Sequence, residues 1–502
     1  MNANLFQRLS DAVADTAKIA IETSDGRRCS YDDIILGAGR YANALLARGV
    51  SPGDRVAVQV EKSVAALLLY LACLRTGAVF LPLNTAYTSA EVEYFIGDAE
   101  PSLVVCDPAR RDAVAGISGG VPVETLDAAG AGSLADLAGE QSHAFPTAVV
   151  ETDDLAAILY TSGTTGRSKG AMLTHGNLVS NALALIDTWQ FTADDVLIHA
   201  LPIYHTHGLF VASNVTFLAD ASMLFCPKFN ADEVMRLLPR ATALMGVPTF
   251  YTRLLKHPDL TREATAHMRV FISGSAPLLA ETHREWEEKT GHAILERYGM
   301  TETGMNTSNP YEGERVAGTV GLPLPEVELR VTDPESGAEL EPGEVGMIEV
   351  RGPNVFKGYW RMPEKTEAEI RPDGFFITGD LGKIDERGYV HIVGRGKDLI
   401  ITGGFNVYPK EVETEIDSVP GIVESAVIGV PHPDLGEGVT AIVVRAEGAS
   451  LDEAGVIAAL EPRLARFKLP KRVIFLDDLP RNTMGKVQKK VLREENAGLY
   501  SG

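Results

Sequence analysis

The sequence predicts an α/β protein built in two parts: a large N-terminal region of two α/β sheet units with a small β unit, then a smaller α+β region. Three observations carry that expectation. Apolar stretches at helical spacing alternate with short β-branched runs over residues 19–107 and again over 154–270, the pattern of α/β layers. Beyond Gly318 the texture changes to short strands cut by Gly, Pro and Asp turns. After Arg395-Gly396-Lys397-Asp398 comes a compact mixed segment of about 100 residues, long enough for a core of its own.

Taken in order, residues 31–46 and 62–75 read as buried-face helices around a β run at 55–60. Residues 116–139, rich in Gly, Ala, Asp and Ser, read as surface loop. Strands are expected at 155–160, 196–200 and 242–247, each leading into a helical pattern, and a strand pair around 389–393 closes the small β unit. The C-terminal segment reads as a hairpin, a helix near 409–418, strands at 423–430 and 439–444, a helix near 451–464 and a strand at 473–476. No repeat of solenoid period is present.

Composition narrows the function classes. Of 502 residues, 45% are hydrophobic and 23% charged, an ordinary globular balance. A formal charge of −22 with no basic stripe argues against nucleic acid as a partner, so any anionic substrate must meet local positive groups. Cys29, Cys73, Cys106 and Cys226 are scattered, without the spacing of a disulfide framework or a zinc site. The longest dense apolar stretch, 64–74, falls well short of the ~18 residues of a membrane span. The N-terminus has no apolar signal core, and a cytoplasmic location is expected.

The most informative segment is an apolar strand running into Tyr160-Thr-Ser-Gly-Thr-Thr-Gly-Arg-Ser-Lys-Gly170. Glycines let backbone N–H groups turn inward, the hydroxyls add donors and Lys169 adds charge, all suited to polyphosphate. Ser168 departs from the Walker A pattern, which needs Gly-Lys. With Tyr298-Gly-Met-Thr-Glu-Thr303, Thr378-Gly-Asp380, Gly394-Arg-Gly-Lys-Asp398 and Pro480-Arg-Asn-Thr-Met-Gly-Lys486 following in order, the chain resembles the adenylate-forming superfamily, which includes acyl-CoA synthetases, luciferases and peptide-synthetase adenylation domains.

That resemblance implies the adenylate-forming fold, with a large domain over 1–396, a hinge at Lys397 and a mobile C-terminal domain over 398–502. It implies ATP, Mg²⁺ and coenzyme A as reactants and cofactor. Thr161, Ser162, Gly163, Thr164, Thr165, Gly166 and Lys169 would hold phosphates, Thr301 would touch the α-phosphate, and Glu302 would ligate Mg²⁺. Ser275, Ala276, Pro277, Glu296, Arg297, Tyr298 and Gly299 would line the nucleotide, and Asp380 and Arg395 would hold its ribose. Lys486 would meet the reacting carboxylate and the α-phosphate in the first step only. The Gly403-Gly404-Phe405 loop would then face the coenzyme A tunnel, where coenzyme A supplies the thiol. Pro-x₄-Gly-Lys also resembles the target of bacterial protein acetyltransferases, so an acetyltransferase and deacetylase acting on Lys486 are expected partners.

Three further segments, Tyr204-His-Thr-His-Gly-Leu209, Gly246-Val-Pro-Thr-Phe-Tyr-Thr-Arg253 and Met300-Thr-Glu-Thr-Gly-Met-Asn-Thr-Ser308, look most like malonyl-CoA synthetases. In that comparison Arg253 is decisive. On a helix starting at Pro248 or Thr249 it would sit among Phe250, Leu254 and Leu255, pair with the second carboxylate of a short diacid, and reject fatty acids that left it buried and unpaired. Thr206, His207, Ser273, Gly274, Met300 and Met305 would complete the acyl pocket, favouring malonate with methylmalonate as second substrate. His205-x-His207 lacks a third metal ligand. The competing readings are a synthetase for a short or medium monocarboxylate, a luciferase-like oxygenase, and a regulator that kept the fold and lost the chemistry. The presence of Lys169, Glu302, Asp380, Arg395 and Lys486 weighs against the last. Gly116-Ile-Ser-Gly-Gly120 fits the hydrolase elbow pattern only by chance, having no strand-turn-helix context.

Overall fold

A computed structural model describes residues 2–161, 168–402, 405–464, 466–482 and 485–500. Ser162, Gly163, Thr164, Thr165, Gly166, Gly403 and Gly404 lie outside the described residues.

Two large sheets form the first part. One is a nine-stranded sheet whose centre is parallel, with Ile19–Thr23, Ser222–Phe225, Val196–His199, Ala243–Gly246, Val270–Ser273 and Leu295–Met300 side by side. The other has seven strands, parallel around Arg55–Gln59 and antiparallel where Leu155–Thr161 meets Lys169–Thr174. The strands read as near-continuous apolar runs because helices cover their faces. Helix Tyr31–Ala47 starts in a capping box between Ser30 and Asp33. Helix Val64–Thr76 is apolar on nearly every side and runs from a Ser63 cap to Gly77 in the left-handed conformation.

The texture change beyond Gly318 corresponds to a four-stranded antiparallel sheet over Glu328–Thr332, Gly346–Arg351, Phe376–Ile384 and Val390–Arg395. A separate sheet follows, with Phe405–Val407, Ile400–Thr402, Gly436–Arg445 and Ile422–His432 antiparallel, and Arg472–Leu476 parallel to Gly436–Arg445. Two hydrophobic clusters draw their buried residues from positions up to Val390, and two others only from Ile400 onward. No described helix is long and apolar enough to cross a membrane.

Two expectations are corrected. Residues 116–139 are not a plain loop: helix Arg111–Ile117 ends there, strand Val123–Thr125 pairs with Leu103–Cys106, and helix Ser133–Glu140 begins. Leu134 and Ala138, one turn apart, suffice to bury its inner side, and so little apolar content hid the periodicity. Strand Leu155–Thr161 does not lead directly into a helix. It turns back into Lys169–Thr174, with Thr161 opposite Lys169, and the helix starts only at His175.

Candidate active site

Many of the side chains expected to act lie where the parallel strands of the nine-stranded sheet end at their carboxyl side, the usual place for a ligand in such sheets. Gly246 pairs with Ser273, and Ser273 with Glu296, so three chain segments leave the sheet side by side. One runs into helix Pro248–Leu255, one into the Gly274–Leu278 turn, and one through Met300 to Glu302. The fourth, after Val196–His199, delivers His205, Thr206 and His207, the last opening a π-helical stretch, His207–Ser213. Single π turns of this kind often mark functional sites.

Alternation along Leu295–Met300 sends neighbouring side chains to different tasks. Glu296 lies under the turn and accepts from the Leu278 N–H at 3.1 Å. Burial pushes its carboxyl up to about 8, so Glu296 is neutral at pH 7 and supports the turn. Its folded pKa exceeds the unfolded one, so its stabilisation is complete below about pH 4.5 and is lost as pH rises toward 8. Relative to Glu296→Gln, the wild type should lose about 1.4 kcal/mol of unfolding free energy per pH unit across that window. Urea melts at pH 5, 6 and 7 measure this, and parallel curves for the two proteins would refute it.

Arg297 points the other way. It is 3% exposed, and its Nε and Nη2 have no hydrogen-bond partner. A Cβ on Gly274 would lie 2.4 Å from its Cζ, so glycine there makes room for the guanidinium. Burial lowers its pKa to about 9, which still leaves it charged at neutral pH. Thr206 Oγ1, His207 Nε2 and Ser273 Oγ are likewise buried without partners. Buried polar groups are ordinarily satisfied, so unpaired atoms on the segments that leave these neighbouring strand ends, a buried cation among them, mark a candidate site for a polar ligand. Burial holds both His205 (to about 3) and His207 well below the ordinary histidine pKa, helped by Lys486 and Arg297 at His205 and by Arg297 at His207, and both are neutral. Ser275 Oγ lies 3.1 Å from His207 Nδ1 and fixes the ring; Ser275 does this at φ +73°, outside the regions that side-chain-bearing residues prefer. Met305 is buried, and its Cε would meet any Cβ on Gly299 at 2.6 Å, which forms one wall.

Arg253 differs from expectation. Helix Pro248–Leu255 buries Phe250, Tyr251, Leu254 and Leu255, while Arg253 is exposed, and no hydrogen bond or ion pair among the described residues engages it. At 100° per residue it sits about 130° from the middle of the face formed by those four residues, so it falls off the apolar side, and the unpaired buried guanidinium of this site is Arg297.

The other end of the site is built from the small sheet. Asp380 and Arg395 are direct cross-strand partners, and Arg395 Nε meets Asp380 Oδ1 at 2.7 Å. The Tyr298 hydroxyl donates to Asp380 Oδ2 at 2.5 Å. Glu302, 5% exposed, accepts at Oε1 from Thr161 Oγ1 (3.4 Å) and lies 3.1 Å from the Tyr359 hydroxyl oxygen. A carboxylate so placed fits Mg²⁺, which takes one or two carboxylates and completes its shell with phosphate and water; the described residues contain no cluster of three metal-ligating side chains. In the Gly274–Leu278 turn Ala276 is half-buried and Pro277 exposed, and Thr301, half-buried, precedes Glu302.

Lys486 reaches this cleft from the C-terminal region. Its loop is closed by Lys486 N donating to Asn482 Oδ1 (3.0 Å), Gly485 N to Asn482 O (2.9 Å) and Arg481 Nη1 to Gly485 O (2.7 Å), and Arg481 is anchored by Glu424. A Cβ on Gly485, φ +75°, would stand 3.5 Å from Thr249 Cγ2, so the loop rests on the first turn of Pro248–Leu255. Lys486 is open to solvent within the cleft, yet surrounding protein lowers its pKa, with Arg395 and Arg297 adding to the effect and Asp380 and Glu302 opposing it.

The sequence matches the family described as AMP-binding enzyme over residues 9–360, and the AMP-binding enzyme C-terminal domain over 411–486. The chain belongs to this family. The AMP-binding enzyme is 37% identical over 477 residues to feruloyl-CoA synthase of an Amycolatopsis species, covering 93% of this chain and 94% of that protein. It is 34% identical over 552 residues to malonate–CoA ligase of Arabidopsis thaliana, covering 97% and 87%. Among solved structures, ATP-bound MatB from Rhodopseudomonas palustris is 69% identical with full coverage of both chains and a TM-score of 0.98. The apo form of the same protein gives 0.87, so the two parts of this AMP-binding enzyme are arranged as in the ATP-bound form. In that arrangement Lys486 lies within electrostatic reach of Arg395, Asp380, Glu302 and Arg297.

Proposed function

We propose that this AMP-binding enzyme is an ATP-dependent acid–thiol ligase that converts malonate, and secondarily methylmalonate, to the coenzyme A thioester through an acyl-adenylate. The observation that supports the substrate is Arg297, a buried guanidinium with two unpaired nitrogens that packs against Gly274 and acts electrostatically on His207, whose own Nε2 is unpaired. A second carboxylate on a three-carbon acid satisfies those donors, whereas an alkyl tail strands them, and a stranded buried cation is costly.

In the first half-reaction a malonate oxygen bonds to the α-phosphorus of ATP as the bond to the bridging oxygen breaks and pyrophosphate leaves with the electron pair. Two anions must meet, so positioned cations lower the barrier most. Lys486 stands between the carboxylate and the α-phosphate, Lys169 meets the outer phosphates, and Tyr298, Asp380 and Arg395 hold the ribose. Mg²⁺, when bound at Glu302, neutralises phosphate charge. In the second half-reaction the coenzyme A sulfur attacks the acyl carbon, its proton is released, and AMP departs. No protein thiol is needed, and none is primed: burial pushes Cys106 and Cys226 up to about 11 and raises Cys73 and Cys29 as well. Between the halves, rotation about Lys397 would withdraw Lys486 and bring in the Phe405 loop. Lys397 lies in the single turn Gly396–Asp398, and Arg493 Nη1 ties Asp398 to the helix following Lys486 at 2.8 Å, so turn and catalytic loop move together.

Pyrophosphate release with ATP, Mg²⁺ and coenzyme A tests the reading across acetate, propionate, butyrate, octanoate, ferulate, malonate, methylmalonate and succinate. Malonate should lead every monocarboxylate in kcat/KM by about 10²-fold or more. A leading monocarboxylate would leave a ligase and remove the diacid pocket.

A further inference from the structure

Lys169 does not stand free in this arrangement. Its Nζ lies 3.3 Å from Glu369 Oε1 and 4.1 Å from the centre of the Tyr359 ring. Glu369 is held from two more sides, by Lys365 Nζ at 2.7 Å and by the Tyr359 hydroxyl, which donates to Oε2 at 2.6 Å. The site is sheltered: the side chains of Lys169 and Glu369 are 12% and 21% exposed, and Tyr359 is buried. It is also fixed by the backbone, because Tyr359 pairs with Ala171 in the strand that begins at Lys169, and helix Pro363–Glu369 packs on that strand pair.

We propose that Glu369 is the resting counter-ion of Lys169, exchanging the ammonium with the outer phosphates of ATP and taking it back as pyrophosphate leaves. This rests on the reading of Lys169 as a phosphate ligand. A lysine side chain is long and carries a point charge, so it can turn between two anions without moving its backbone. Polyphosphate must break the pair to gain the lysine, which weakens the binding of ATP and pyrophosphate alike; the reclaimed pair then disfavours rebinding of the product. Tyr359 adds a second element. Its one proton cannot serve Glu369 and Glu302 together, and its shorter contact is to Glu369, so the hydroxyl keeps the latch carboxylate aimed while Lys169 is away.

The test is calorimetric titration of pyrophosphate, with and without Mg²⁺, into wild type, Glu369→Gln, Lys365→Met, Lys169→Met and the Glu369→Gln/Lys169→Met double variant. Glu369→Gln should tighten pyrophosphate binding by about tenfold, a little over 1 kcal/mol. Lys365→Met, which leaves Glu369 with Lys169 as its main cation, should weaken it severalfold. Lys169→Met should weaken it too, and in the double variant the gain from Glu369→Gln should disappear, as coupling through one pair requires. Unchanged or weaker binding by Glu369→Gln, with Lys169→Met still defective, overturns the counter-ion role and makes Glu369 structural. Unchanged binding by Lys169→Met overturns the phosphate reading on which it stands. Should Glu369→Gln fold poorly, the sign of the Lys365→Met effect decides.

Discussion

Replacing Lys486 by alanine should lower malonate-dependent exchange of pyrophosphate into ATP by about 10³-fold, while thioester formation from supplied malonyl-adenylate changes less than about threefold. The asymmetry follows from geometry. Lys486 is carried by the C-terminal region yet titrates under the influence of Arg395, Asp380, Glu302 and Arg297, all on the other part. Its loop is pinned by Arg481 and Glu424 and rests on Thr249, so removing the ammonium leaves the loop standing and takes away only charge. Acetylation of Lys486 should reproduce the same one-sided loss by neutralising that charge. Equal loss in both half-reactions would show that Lys486 serves folding or docking, and full activity after stoichiometric acetylation would remove the regulatory expectation.

Arg297→Met should lower kcat/KM for malonate by about 10²- to 10³-fold, leave propionate within about threefold, and raise the melting temperature or leave it unchanged. The two effects have one cause. A buried guanidinium with unpaired nitrogens costs folding free energy, and a ligand carboxylate relieves that cost. Methionine keeps the volume beside Gly274 and removes the charge. Arg253→Ala should cost malonate less, because an exposed guanidinium leaves no buried donor stranded. If Arg253→Ala erased the diacid preference and Arg297→Met did not, the roles would be reversed.

Much of this was legible from sequence because the motifs encode local backbone. The antiparallel strand pair at Tyr160, the cross-strand pair Asp380–Arg395, fifteen positions apart around one turn, and the hydrogen bonds among Arg481, Asn482, Gly485 and Lys486 are each short-range objects. Arg297 was read with the nucleotide because it lies inside a contiguous motif. Strand parity separates it from its neighbours, since Glu296 and Tyr298 go to the turn and to Asp380 while Arg297 packs against Gly274. Arg253 failed as a buried residue for the analogous reason in a helix: Phe250, Leu254 and Leu255 define the inner face, and position 253 is off it. Glu369 and Tyr359 had no local signature at all. Their meeting with Lys169 spans 200 positions for Glu369 and depends on the pairing of Gly358–Tyr359 with Lys169–Thr174.

Ser275 places a limit on how this protein can be improved. Holding a serine at φ +73° costs on the order of 1 kcal/mol that glycine or asparagine would recover, so any search for heat tolerance will favour changing it. The recovered stability comes at the expense of the hydroxyl that orients His207. Robust variants found by selecting only for survival on heating should therefore accumulate at position 275 as poor catalysts, and thermal screening of this scaffold needs a second filter for turnover.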